Sequence, residues 1–255
     1  MPSWLLQAAG RFACYIKPRL ECVNPLRCSR SHQNLPQGLF FFQESFMRQL
    51  ILSAVLAGAS LFALSANADE IQEGKQYVAL DPAVAVSVPG KIEVVELFWY
   101  GCPHCYQFEP ILEPWVEKLP EDVNFVRIPA MFGGVWNVHG QMFLALESMG
   151  VEPKVHAAVF EAIHKDGKKL STPEEMAEFL VTQGVDQDAF LKTYNSFGVK
   201  AQVEKAKKLA AAYQISGVPV LVVNGKYRFD IGSSGGPEQA LDVADQLIDM
   251  ERTAE

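Results

Sequence analysis

Cysteine and histidine are scarce in this 255-residue chain, at five residues each. Residues 69–255 hold only Cys102 and Cys105. A zinc site usually needs four protein ligands, or three and a water. One CxxC supplies two, and His139, His156 and His164 show no matching pair spacing; His139 and His164 read as loop or helix-end residues and His156 as an ordinary helix position. Basic charge is scarce too. Six of the 22 Lys/Arg and two of the 30 Asp/Glu fall in residues 1–68, so residues 69–255 carry 16 basic and 28 acidic groups, a net charge of −12. A body that acidic is a poor candidate for nucleic-acid binding. Internal repeats and low-complexity tracts are absent. With 49% hydrophobic and 20% charged residues the chain is globular in composition, which argues against long-range disorder.

No apolar run reaches the roughly 20 residues of a membrane span. The nearest, about Leu50 to Leu64, follows Arg48 and ends in Ala66-Asn67-Ala68, the small-x-small pattern of a secretory cleavage site. Residues 47–68 therefore read as a cleaved signal peptide with Met47 as the start, and residues 1–46 as an upstream extension or a misassigned start. Cleavage after Ala68 would remove Cys14, Cys22 and Cys28. Export to an oxidising space with one CxxC left is a narrow combination.

The exported part reads as α/β. "QYVAL" (76–80) suits a short edge strand, and "KIEVVELFWY" (91–100) a central strand apolar on both faces. The stretch after Gly101 has helical spacing, with Pro103 well placed in its first turn and Pro110 and Pro114 predicting a kink or break. "VNFVRIPA" (123–130) reads as a second strand. Residues 131–214 carry helical patterns only, with Gly150 and Gly184 as C-caps and Thr172 to Glu175 as a capping box. "VPVLVVNG" and "KYRFDIG" form a hairpin at Asn224-Gly225, and a last helix over about Pro237–Arg252 follows the Gly/Ser loop "GSSGG". One sheet with helices on its faces accommodates this order. The predicted domains are 69–130 with 215–255, and a helical insertion at 131–214.

Cys102-Pro103-His104-Cys105 sits where a strand meets a helix. Unpaired N–H groups and the helix dipole stabilise a thiolate at Cys102. His104 can add positive charge or a ring N–H, and Pro103 stiffens the turn. A pair whose reduced form is stabilised gives its disulfide away readily. Cys105, one turn inside, is the expected resolving thiol. A metal site and a structural staple are the weaker readings, since a four-residue loop constrains the unfolded chain little. Glu96 interrupts an apolar strand, and a buried lone carboxylate costs several kcal/mol unless protonated or paired, about that much by transfer arguments. It reads either as a proton acceptor and donor for Cys105 or as an edge or ion-paired residue, with Lys91 or Lys118 as partner. Pro219 by itself reads as a strand-initiating proline.

"ELFWYGCPHCYQFEP", the distant "GVPVLVVNGKY" and the helical insert together resemble the thioredoxin superfamily, and within it the DsbA-type periplasmic thiol:disulfide oxidases. That family is itself a known example of a depressed cysteine pKa and an oxidising couple, so the reading of Cys102 is not independent of the resemblance. The resemblance spans 69–255 and implies a thioredoxin fold with an inserted helical domain. It implies Cys102 as exposed nucleophile, Cys105 as buried resolving thiol, His104 as thiolate stabiliser beside Pro103, and Glu96 as the buried acid. Val218 and Pro219 match the cis-proline segment beside the disulfide, where an extended substrate pairs as an added strand. Implied partners are reduced cysteine-containing exported proteins and a DsbB-type quinone-linked membrane oxidase. No cofactor or metal is implied, and a monomer is expected. An isomerase or a reductase on the same fold is the alternative. The former needs a dimerisation domain that 69–90 is too short to form, and Pro-His argues against the latter. A non-catalytic binding module is the rival of another class.

Overall fold

The structure, a computed structural model, describes residues 70–254. The predicted signal peptide and the segment upstream of it lie outside the described residues. Strands β1 (Val78–Ala79), β2 (Ile92–Phe98), β3 (Val123–Pro129), β4 (Val220–Val223) and β5 (Tyr227–Asp230) form one sheet in the order β1-β5-β4-β2-β3. All seven residues of β2 are buried because both faces are covered. Val95 and Leu97 face one apolar cluster, Ile92 and Val94 the other. Each fully buried aliphatic side chain contributes about 1.5–3 kcal/mol.

Helix α1 (Pro103–Val116) connects β2 to its parallel neighbour β3. It runs through Pro110 and Pro114 as one continuous helix, so of the expected kink or break the break does not occur. Both prolines lie on the exposed side, one turn apart, so the carbonyls that lose a donor lie toward solvent.

Five helices follow: α2 (Val135–Ser148), α3 (Glu152–His164), α4 (Pro173–Thr182), α5 (Gln187–Tyr194) and α6 (Phe197–Ala212). Gly150 and Gly184 sit at φ 69° and 79°, and each is followed by an N–H that reaches back to the last turn, Val151 to Leu146 and Val185 to Leu180. These are the glycine C-caps expected from sequence. Thr172 accepts from the Glu175 N–H, but Glu175 returns its bond to the Ser171 N–H rather than to Thr172.

Strands β4 and β5 are antiparallel, with β4 also antiparallel to β2. Their turn places Asn224 and Gly225 at φ 50° and 64° and closes with the Lys226 N–H on the Val223 carbonyl, 2.9 Å. A Cβ on Gly225 would meet the Val84 carbonyl oxygen, which is why the backbone of residues 84 and 225 can approach to 2.9 Å. Gly225→Ala should therefore lower stability by more than about 1 kcal/mol, since both the positive φ and the contact oppose it. Urea unfolding of the variant tests this, and an unchanged midpoint would refute it.

The predicted "GSSGG" loop is partly helical. Asp230 caps a short helix α7 (Ile231–Ser234) in a reciprocal box with Ser233, before α8 (Pro237–Ala254) begins. Asp230 closes the preceding strand, and its capping role becomes visible only once that strand ends there.

Candidate active site

Cys102 is the N-cap of α1, and Pro103 occupies the first helical position. The Cys102 N–H donates to the Trp99 carbonyl at 2.9 Å, which holds the junction between β2 and α1. Its Sγ lies 3.5 Å from the Cys105 N–H and 3.5 Å from the Val218 carbonyl oxygen. Both thiols are free; Cys102 keeps 7% of its surface and Cys105 none.

That asymmetry separates their acidities. The Cys105 thiol hydrogen-bonds the Cys102 sulfur, the amides of Cys105 and His104 point at it, and these outweigh burial to bring Cys102 down to about 6. The charge of His104 contributes less than those hydrogen bonds, and its side chain is exposed. Burial drives Cys105 strongly upward, helped by the Cys102 sulfur and the charge of Glu96. The surroundings thus favour the thiolate at Cys102 and the thiol at Cys105.

Glu96 is fully buried on β2, with β3 on one side and β4 on the other. It is neither at an edge nor paired with Lys91 or Lys118. Glu96 is the fifth residue of β2 and Arg127 the fifth of β3, and the parallel register sets them opposite each other. Arg127 Nε donates to Glu96 Oε2 at 3.0 Å, and Nη2 donates to Glu109 Oε2 at 3.3 Å and to Glu113. His156 on α3 continues the network: its Nε2 lies 3.4 Å from Glu109 Oε2, and its Nδ1 lies 2.5 Å from Glu152 Oε1 and 3.1 Å from the Tyr100 hydroxyl.

Burial and the charge of Glu109 push Glu96 up to about 8, although Arg127 and His156 oppose the shift. Burial also works against an ionised Glu109, but its bond to His156 and the charges of His156 and Arg127 hold it low. His156 rises to about 9, because Glu109 and Glu152 outweigh the cost of burying its cation.

His156 is therefore a buried hub, not the ordinary helix position its spacing suggested. His139 is corrected as well: it lies inside α2, buried, stacked 5.9 Å from Trp99, with Nε2 3.0 Å from the Lys169 carbonyl. His164 does end α3, and its Nε2 is 2.8 Å from the Tyr100 carbonyl. Arg127, Glu109 and Glu152 escaped the sequence reading; the aligned starts of β2 and β3 were the signal that could have paired Glu96 with Arg127. Glu109, Glu113 and His156 offer ligand atoms within 4.8 Å of one another. The Arg127 guanidinium bonds both carboxylates and supplies the cation there.

The Val218–Pro219 peptide is cis. Beside it a cavity of about 570 Å³ is lined by His104, Phe108, Val218, Pro219, Ile231 and Pro237 among others. The structure thus brings Cys102, Pro103, His104, Cys105, Val218 and Pro219 together, with Glu96 behind Cys105 on β2. Such a site can exchange a disulfide with an extended chain lying in the cavity.

The model of the DSBA-like thioredoxin domain matches residues 93–242. The thiol:disulfide interchange protein DsbA of Azotobacter vinelandii is 70% identical over 214 residues, covering 82% of this chain and 100% of that protein. The DsbA of Pseudomonas aeruginosa is 70% identical over 208 residues, 82% of this chain and 99% of its own length. A crystal structure of P. aeruginosa DsbA superposes with a TM-score of 0.72 at 71% identity, covering 73% of this chain and 97% of that one. The oxidoreductase NmDsbA1 from Neisseria meningitidis is similar at 26% identity, with a TM-score of 0.64 over 72% of this chain and 95% of that one. With a family match over more than half its length and relatives at 70% identity, the chain belongs to the DsbA family of thioredoxin-fold thiol:disulfide oxidoreductases.

Proposed function

We propose that this protein is a periplasmic dithiol oxidase that donates a Cys102–Cys105 disulfide to newly exported proteins. The observation that carries the reading is the placement of the two sulfurs: Cys102 caps α1 with its Sγ 3.5 Å from the Cys105 N–H, while Cys105 has no exposed surface, an arrangement that lowers the Cys102 pKa and raises that of Cys105. A substrate thiolate attacks Cys102 Sγ, a mixed disulfide forms, and the electron pair of the broken S–S bond goes to Cys105. A second substrate thiolate then displaces Cys102, whose low pKa makes it a good leaving group.

The other residues have supporting roles. The helix amides, Pro103 and His104 stabilise the Cys102 thiolate, and Glu96 gives a proton to Cys105 and takes it back. Val218 and Pro219 hold the substrate backbone next to the sulfur, consistent with the Val218 carbonyl lying 3.5 Å from Cys102 Sγ. Residues 69–130 with 215–255 form the catalytic domain and 131–214 the insertion. The chain works as a monomer after removal of residues 47–68, and a DsbB-type quinone-linked membrane oxidase restores the disulfide.

The redox equilibrium against a glutathione series tests oxidase against reductase. With Cys14, Cys22 and Cys28 replaced by serine, the CxxC should remain reduced even in strongly oxidising mixtures. Trp99, whose carbonyl bonds the Cys102 N–H, is the reporter. Trp115 packs instead against Phe125 and donates to Asp245 on α8. A disulfide that persists until glutathione is strongly reducing would favour the reductase reading.

A further inference from the structure

Cys105 and Glu96 are both fully buried, so a proton passed between them reaches solvent only through other groups. This question rests on the reading of Glu96 as the acid serving Cys105. The guanidinium of Arg127 marks a path. Its Nε and Nη2 are the two nitrogens that ordinarily grip one carboxylate side by side. Here they hold two, Glu96 at 3.0 Å and Glu109 at 3.3 Å. Two carboxyl groups brought together at one cation favour a shared proton, since both cannot ionise without repulsion. The Oε1 atoms of both are buried and lack a hydrogen-bond partner among the described residues.

Glu109 meets His156 on its other side, 3.4 Å from Nε2. Between α1 and α3 lies a second cavity of about 570 Å³, walled by Pro110, Pro114, Pro153 and Phe160. Glu109, Glu113, Arg127 and His156 line it; Glu96 does not. Solvent in this cavity therefore meets the histidine and Glu109, whereas the cis-proline groove is lined by neither.

We propose that His156 is the relay through which Glu96, by way of Glu109, exchanges its proton with the α1–α3 cavity. As the Cys102–Cys105 bond breaks, Cys105 takes a proton from Glu96, Glu96 regains one from the Glu109–His156 pair, and cavity water recharges His156. Reoxidation runs the same path outward. One proton enters for each Cys102–Cys105 bond opened and one leaves for each closed, and apart from these proton transfers only S–S bonds are exchanged. His156 touches neither sulfur and acts through Glu96. The groups facing it are Glu109 and Glu113 from α1, Arg127 from β3, Tyr100 at the end of β2, and Glu152 on its own helix. Their net negative charge keeps it protonated at neutral pH, with its pKa raised to about 9.

Stopped-flow mixing of the reduced full chain, again without Cys14, Cys22 and Cys28, with excess oxidised glutathione tests the relay. The first phase scales with glutathione and reports attack by Cys102. The second is independent of its concentration and reports closure by Cys105, which must first lose its proton. His156→Asn keeps a hydrogen-bonding side chain but cannot take up or release a proton near neutral pH. It should slow closure about 10²-fold at pH 7, the low end for proton transfer by a positioned side chain, and leave the first phase unchanged. In His156→Ala, added imidazoles should restore closure at rates that rise with their pKa. Wild-type closure in folded His156→Asn overturns the relay, as does rescue that ignores imidazole pKa; should the alanine variant not fold, the asparagine variant decides alone. Glu96→Gln separates the two readings. If it closes at the wild-type rate, the role of Glu96 has failed and the relay with it; if it is slow while His156→Asn is not, only the relay has failed.

Discussion

Replacing Cys102 by serine should abolish oxidation of a reduced dithiol peptide. Cys105 has no exposed surface, so no substrate thiolate reaches it directly, and a serine oxygen cannot form the mixed disulfide. The loss should be complete rather than partial, because nucleophilic exchange has no bypass once the accessible sulfur is gone. Cys105→Ser should behave differently. Its Cys102 remains a stabilised nucleophile, so covalent complexes with substrate should accumulate, since no resolving thiol releases them. Turnover assays and non-reducing gels read the two outcomes. Residual oxidation by the Cys102 variant would defeat the mechanism, and a variant that still bound its partner with no change in any cellular disulfide would favour a binding module.

Arg127→Met should destabilise the fold by about 3–5 kcal/mol, the usual result of removing one member of a buried ion pair. A single guanidinium serves Glu96, Glu109 and Glu113, and two of these are buried. The loss should depend on pH in a definite direction. Glu109 is held below its ordinary value of 4.5, so in the wild type it adds stability above that pH and loses it as pH falls further. Glu96 is raised to about 8, so its burial already costs stability as pH climbs from 4.5 to 8. Without Arg127 both carboxyls favour the protonated form in the folded state. The deficit should then be largest near pH 8 and shrink toward pH 4.5. Urea unfolding at the two pH values measures it. An equal loss at both would show that Arg127 acts through packing alone. Adding Glu96→Gln should recover part of the loss, a coupling expected of groups in contact.

Much of the fold was legible because its signals are local. β2 is apolar at both parities, Asn224-Gly225 supplies the two positive φ values a tight turn requires, and Gly150 and Gly184 end their helices where a left-handed residue is needed. The cysteine pair was legible for the same reason, since both sulfurs and their helix lie within four residues. Pro110 and Pro114 left a kink and a break both open, because whether a proline breaks a helix depends on which face it occupies. α7 was missed because its cap, Asp230, also ends a strand.

The sequence by itself determined the chemistry of the site: two thiols one turn apart at a helix start, with a carboxylate, Glu96, six residues before the first of them in the preceding strand. Only the tertiary structure decided what that carboxylate is bonded to. Glu96, Glu109, Arg127, Glu152 and His156 come from two strands and two helices, and the parallel register of β2 with β3 and the packing of α3 on α1 bring them within hydrogen-bond reach. Periodicity reports which way a side chain faces within its own element. It carries no record of the charge that will face it across the core, here the Arg127 guanidinium that bonds both Glu96 and Glu109.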